Sequence, residues 1–219
     1  MLVAWEVDER IDKNCKVLLP NSETWVFEKE SIYANTHWSK NRYYTLIIKN
    51  RAGFRNEYES SNKRNLVKAN NAGLKFITAN KQNYNDFLEL FQETNLHIRG
   101  GLPTGLFNKY SEELLKKKLG NFHAVIHNGQ KIAVSLVIFS CDVANIRYVT
   151  SSAEYLHLRP VNFLYDSICE YYFSKGFAYV DLSGIVSPEN SDEKLRNISR
   201  FKRGFSNRVL CFKKIDSVI

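Results

Sequence analysis

The stretch that most restricts the fold is "FHAVIHNGQKIAVSLVIFS", residues 122–140. Two apolar runs flank Asn128-Gly129, and an Asn-Gly pair supplies the two positive-φ residues of a tight hairpin turn. The segment is therefore predicted to be an antiparallel hairpin with its register set by a two-residue loop. "ANIRYVTSS" (144–152) follows as a third strand. "PVNFLYDSICEYYFSKGF" (160–177) opens on proline and carries Phe163, Leu164, Ile168, Tyr171 and Tyr172 at helical spacing. Gly176 follows its end, which predicts a helix. "FAYVDLSG" (177–184) reads as a short buried strand, "SPENSDEKLRNISRF" (187–201) as a polar loop entering a helix, and "RVLCFKKI" (208–215) as a closing strand.

Upstream, "TWVFEKESIYANTHW" (24–38) and "YYTLIIKN" (43–50) are apolar and β-prone. Residues 56–79 hold a weakly amphipathic helix that stops at Asn71-Ala72-Gly73, then a strand at Phe76-Ile77. "NYNDFLELFQETN" (83–95) has helical spacing, "GGLPTGL" (100–106) is a loop, and "NKYSEELLKKKLG" (108–120) is predicted to be a helix ending at Gly120. Helix, helix, three antiparallel strands, helix, strand, helix, strand is an α+β arrangement around a central mixed sheet flanked by helices.

At 219 residues, with 44% hydrophobic and 13% aromatic side chains, the chain has the material for a packed core. No apolar run approaches the roughly 20 residues of a membrane span. The start "MLVAWEVDERID" lacks a basic region, so no signal peptide and no membrane insertion are expected, and the cytoplasm is the expected location. Cys15, Cys141, Cys169 and Cys211 are widely spaced and form no metal-ligand pair, so reduced thiols are expected. His123 and His127 lie on a hairpin strand without further ligands, and no metal site is predicted. A net charge of +8 favours anionic partners, among them nucleotides, coenzyme phosphates and nucleic acid.

The order of elements resembles the GNAT acyltransferase fold, and the second half resembles its FemAB-like branch. Ser151-Ser152 at a strand end, then Glu154-Tyr155, Pro160 at a helix start, Asp181 with Gly184, and Phe201-Lys202-Arg203-Gly204-Phe205 carry the likeness. "SSNKRNLVKANNAGLKF" (60–76) is similar to the basic helix that precedes a glycine turn and strand in that branch. The likeness covers roughly residues 42 to 215. Residues 76–219 are read as the catalytic domain, and residues 1–75 as an N-terminal extension, at most a truncated first GNAT-like half packed on it. One departure matters. Where CoA-dependent members carry a glycine-rich loop for the pyrophosphate, this chain has "YLHLRPVN" (155–162), without glycine. Three options follow. Arg159 and the helix N-terminus take the place of the glycines, an aminoacyl-tRNA is the donor, or the domain binds without catalysing.

In FemAB-like enzymes the lysine of the matching motif serves the tetrahedral adduct of acyl transfer, which implies that role for Lys202; a fixed cation lowers the barrier as the acyl oxygen becomes negative. The plain alternative is a solvated lysine. Phe201 and Phe205 are expected to pin the turn, and Gly204 to take a backbone shape that strains other residues. Arg200 and Arg203 are surface charges or phosphate contacts. Asp181 is either a general base or an anchor for the loop that follows it. Glu154 and His157 are candidate bases for an ammonium nucleophile, or solvated loop residues. Ser151, Ser152, Arg159, Asn162 and Arg203 are the candidate contacts for the donor. Lys63, Arg64 and Tyr148 are the candidate contacts for the acceptor.

The reading that combines these features is an N-acyltransferase. It would use acetyl-CoA or a longer acyl-CoA and the amine of an amino sugar, nucleotide-linked, in bacterial surface polysaccharide synthesis. The first alternative keeps the fold and takes aminoacyl-tRNA as donor and a peptidoglycan precursor as acceptor. A third, from another class, is a nucleic-acid-binding module without activity, which rests on charge and aromatic content alone.

Overall fold

The computed structural model describes residues 16–18, 24–40, 42–79, 87, 89–90, 118–140 and 142–215. The elements are β1 (Lys16–Leu18), β2 (Thr24–Ile32), β3 (Arg42–Lys49), α1 (Ser60–Asn71), β4 (Lys75–Thr78), β5 (Gly120–His127), β6 (Gln130–Ser140), β7 (Val143–Ser151), α2 (Pro160–Ser174), β8 (Tyr179–Ile185), α3 (Glu193–Arg203) and β9 (Arg208–Ile215). The predicted helices over 83–95 and 108–120 and the loop over 100–106 lie outside the described residues, apart from helical Phe87, Glu89 and Leu90 and residues 118–120. Gly120 is not a helix terminus. It opens β5, and the left-handed turn just before it belongs to Lys118, with φ 56°.

The chain forms two compact units, each assembled from separated segments: residues 1–59, 140–145 and 172–219, and residues 60–139 and 146–171. In the first unit the strand order is β1-β2-β9-β3-β8, followed by the start of β7. The N-terminal strand β3 thus lies between two C-terminal strands and pairs antiparallel with both. β7 and β8 are parallel, and their pairing covers only Val143–Asn145 against Tyr179–Asp181. The sheet is mixed, as expected for an α+β fold. Leu46 and Ile48 of β3, Val180 and Leu182 of β8, and Val209 of β9 are fully buried, each a site worth about 1.5–3 kcal/mol for a large aliphatic side chain.

In the second unit the order is β7-β6-β5-β4. Phe122 and Ala124 of β5 face the same way as Val134, Leu136 and Ile138 of β6 and form a core with Phe87. Residues 132–138 of β6 are all buried, so this strand is covered on both faces. His123 is a core residue. It stacks on Phe76 at 5.1 Å, meets the edge of Tyr171 at 5.2 Å, and its Nδ1 lies 3.2 Å from Thr78 Oγ1. Along α2, buried Leu164, Tyr165, Ile168, Cys169 and Tyr172 form one apolar stripe.

The hairpin turns at Asn128 (φ 49°) and Gly129 (φ 82°), as its sequence predicts. A Cβ at Gly129 would meet nothing within 4 Å, so its restriction is conformational. Gly129→Ala is expected to lower stability by about 1–2 kcal/mol through that strain alone. Denaturant titration with an unchanged slope would bear this out, and an unchanged midpoint would refute it.

Candidate active site

The sequence-predicted site residues fall in both units: Asp181, Lys202 and Arg203 in the first, and the others in the second. In the first unit Asp181 lies on β8 with 0% of its surface exposed. It receives hydrogen bonds from the hydroxyl of Thr45, from Asn145 Nδ2 at 2.8 Å and from the backbone N–H of Ser183 at 2.7 Å. Ser183 Oγ donates to Asn145 Oδ1 at 3.1 Å and closes the network. Its backbone support is a bulge. Thr45 and Ile47 of β3 face Gly184 and Asp181 of β8, so Leu182 and Ser183 together stand opposite Leu46. Ser183 takes the left-handed region at φ 64°, which a non-glycine residue occupies only where its surroundings fix it. Burial pushes the Asp181 carboxyl above its usual range, and the three hydrogen bonds and the nearby Lys202 charge pull the other way.

Lys202 lies in the last turn of α3 and is only 8% exposed. Its Nζ donates to the carbonyl of Gly184 at 2.8 Å. Three residues earlier on the helix, Ser199 Oγ accepts the N–H of Val186 at 2.9 Å. α3 is thus tied at two points to the end of β8. Gly184 admits the Tyr43 ring, since a Cβ there would lie 3.1 Å from a ring carbon. Phe205 is fully buried, with ring centroids 5.4 Å from Phe201 and 5.1 Å from Tyr58, so the phenylalanines do pin the turn. Gly204 is a correction: its φ of −61° and ψ of −14° are ordinary right-handed values, because it simply continues α3 with N–H bonds to Arg200 and Phe201. Arg203 lies 5.2 Å above the Tyr33 ring and 3.6 Å from the Glu59 carboxylate.

In the second unit Ser151 ends β7, and the N–H of Ser152 donates to the carbonyl of Ile132 at 3.0 Å. Glu154 and His157 are exposed on the 3-10 turn Ala153–Leu158, where His157 Nδ1 lies 3.0 Å from the Glu154 carbonyl. Tyr148 is half-buried against the Phe122 core. Lys63 and Arg64 are exposed on α1. Asn162, in the first turn of α2, donates through Nδ2 to Oδ1 of Asn62 in the first turn of α1, at 3.0 Å. Asn62 is 5% exposed, and its own Nδ2 has no hydrogen-bond partner. A buried amide left without an acceptor is costly. Arg159, directly before α2, has φ 62°. The backbone therefore makes, without glycine, the left-handed turn that a glycine would make.

Sequence reasoning missed Thr45, Asn145 and Asn62, and it missed a cleft of about 580 Å³ in the first unit lined by Trp38, Lys40, Arg42, Tyr44, Ile185 and Glu189 among others. A local signal existed only for the cleft, in the "HWSKNRYY" run of aromatic and basic residues (37–44). Among the described residues, no three His, Cys, Asp or Glu side chains are grouped to hold a metal ion, and no helix is long and apolar enough to cross a membrane.

Residues 54–203 match the Acetyltransferase (GNAT) domain, and the chain belongs to the GNAT acetyltransferase family. No curated protein matches the chain in sequence. Among solved structures, FemX superposes with a TM-score of 0.69 at 13% identity, over 84% of this chain and 65% of FemX. The C-terminal domain of a putative lysylphosphatidylglycerol synthetase from Agrobacterium fabrum gives 0.52 at 13% identity, over 84% of this chain and 61% of that one. L-PGS from Bacillus licheniformis gives 0.52 at 12%, over 80% and 61%. At these identities the likeness is one of fold, and the chain spans just under two thirds of the length of each.

Proposed function

We propose that the chain is an N-acyltransferase that moves an acyl group from coenzyme A to the amine of an amino sugar, nucleotide-linked, in the cytoplasm and on the way to a bacterial surface polysaccharide. The observation that carries the reaction class is the buried Lys202 ammonium at the end of β8, inside the matched domain. The nitrogen of the acceptor forms a bond to the acyl carbon as the thioester C–S bond breaks. Of the two protons the ammonium loses, one goes to the departing thiolate and one to solvent. Lys202 supplies positive charge where the acyl oxygen becomes negative. Asp181 is already engaged by three donors, so its role in this reading is to hold the bulge that sets the Gly184 carbonyl and Lys202, rather than to move protons. Within the second unit, Arg159, the first turn of α2 and the unpartnered Asn62 amide are the groups suited to a diphosphate.

Acetyl-CoA at about 100 times its dissociation constant adds roughly 2.7 kcal/mol to stability, which for a chain of this size is a rise of several degrees in Tm. That rise is expected for the wild type and is expected to vanish in Asn62→Asp, which keeps the acceptor atom for Asn162 and sets a negative charge where the donor stood. No rise for the folded wild type overturns the coenzyme A reading. The second reading, with aminoacyl-tRNA as donor and a peptidoglycan precursor as acceptor, is favoured by the fold shared with FemX. It requires binding that weakens steeply with salt.

A further inference from the structure

Three aromatic rings form a row in the first unit. Tyr33 and Trp38 meet at 5.3 Å, and Trp38 and Tyr44 at 4.6 Å. The Tyr44 hydroxyl donates to the carbonyl of His37 and accepts the N–H of Ser39, both at 2.7 Å, which fixes the segment carrying Trp38 against β3. Trp38 and Tyr44 line the 580 Å³ cleft, whose volume suits a ligand of one or two rings. Lys40 and Arg42 line it from the segment that carries Trp38 and Tyr44, while Glu189 and Asn190 reach it from the loop after β8. That loop is held by its own hydrogen bonds. The N–H of Asn190 donates to the Ser187 carbonyl at 3.0 Å, the N–H of Asp192 donates to Asn190 Oδ1 at 2.9 Å, and the Arg196 guanidinium donates to the Asn190 carbonyl.

The lining therefore offers three things at once: the partly exposed Trp38 ring, two cations, and one carboxylate carried on a different segment. An aromatic face packs against the C–H face of a sugar ring, the cations match a phosphate, and the carboxylate matches an ammonium. We infer that this cleft is the acceptor pocket and takes an amino sugar bearing a phosphate. The inference rests on the N-acyltransferase reading for its catalytic meaning, and not for the binding itself. Ile185, in the cleft wall, directly follows Gly184, whose carbonyl holds Lys202.

Calorimetric titration of the full chain, without any acyl donor, tests it with glucosamine 1-phosphate, glucosamine and glucose 1-phosphate. Glucosamine 1-phosphate is expected to bind at least tenfold tighter than either of the others. Glu189→Gln is expected to remove its advantage over glucose 1-phosphate, and Arg42→Gln combined with Lys40→Gln its advantage over glucosamine. Trp38→Leu is expected to weaken all three. A parallel titration with UDP-glucosamine shows whether the phosphate is that of a simple sugar phosphate or of a nucleotide. Absence of binding, equal binding of the three sugars, or selectivity unmoved by Glu189→Gln overturns the inference. Because no donor is present, sugar binding together with a failed acetyl-CoA shift would leave the pocket standing and remove only the donor.

Discussion

Lys202→Met is expected to slow acyl transfer roughly 10²- to 10³-fold, the range seen when one fixed donor to a developing oxyanion is removed. Methionine retains most of the stem and removes the charge. The side chain is nearly buried and makes a 2.8 Å hydrogen bond to the Gly184 carbonyl, so its ammonium is held in place rather than sampling solvent. Loss of that bond should lower stability by only about 1 kcal/mol, leaving a folded protein in which the rate is interpretable. The loss belongs in kcat, with KM for glucosamine 1-phosphate changed little, since the charge acts on the acyl oxygen and not on the acceptor. Lys202→Arg is expected not to restore the rate, because a guanidinium keeps the charge and changes its reach and geometry. Thiol release from acetyl-CoA gives both constants. A folded Lys202→Met protein with kcat within about threefold of wild type would make Lys202 a clip that fastens α3 to β8 and nothing more.

The elements written in local signals were legible. Asn128-Gly129 fixed its turn through φ preferences that few other residues share, and Pro160 with Gly176 bounded a helix observed as Pro160–Ser174. Lys202 and Asp181 were singled out from a short motif and a buried strand, although Asp181 lies inside β8 and not at its end. What joins them to the rest was not. Thr45 reaches Asp181 across 136 positions and Asn145 across 36, and nothing in "RYYTLIIK" says that β3 will insert between β8 and β9. Partner choice among apolar strands is decided by packing and register, which no window of sequence carries. The glycine logic failed in an instructive direction. Gly204 is conformationally ordinary, while the left-handed positions near the candidate sites fall to Ser183 and Arg159. At Ser183 the buried network with Asp181 and Asn145 imposes the conformation, so the signal lies in tertiary hydrogen bonds and not in residue type.

That same network makes Asp181→Ala the substitution with the largest expected effect on stability, a loss of about 3–5 kcal/mol. Alanine leaves the Thr45 hydroxyl, the Asn145 amide and the Ser183 N–H facing a buried space where the carboxylate stood, and it frees Ser183 from the contact that holds its positive φ. For a chain of this length the Tm is expected to fall by about 10 °C or more. Asp181→Asn preserves the shape and one acceptor but sets its NH2 against a buried donor, and should cost about 1–3 kcal/mol at neutral pH. The comparison of wild type with Asp181→Asn then reports the carboxyl itself. Burial raises its pKa in the folded protein above the ordinary 3.8. A carboxyl that binds its proton more tightly when folded favours folding on acidification: its contribution is complete below the unfolded value and is lost as the pH rises through the folded value. The advantage of wild type over Asp181→Asn should therefore grow as the pH is lowered from 8 towards about 4, against a variant with nothing to titrate at this position. Denaturant titrations of both proteins across that range measure it. An advantage that shrinks on acidification would mean that the Lys202 charge and the hydrogen bonds outweigh desolvation, with Asp181 held below its ordinary value and acting as the counter-ion of Lys202.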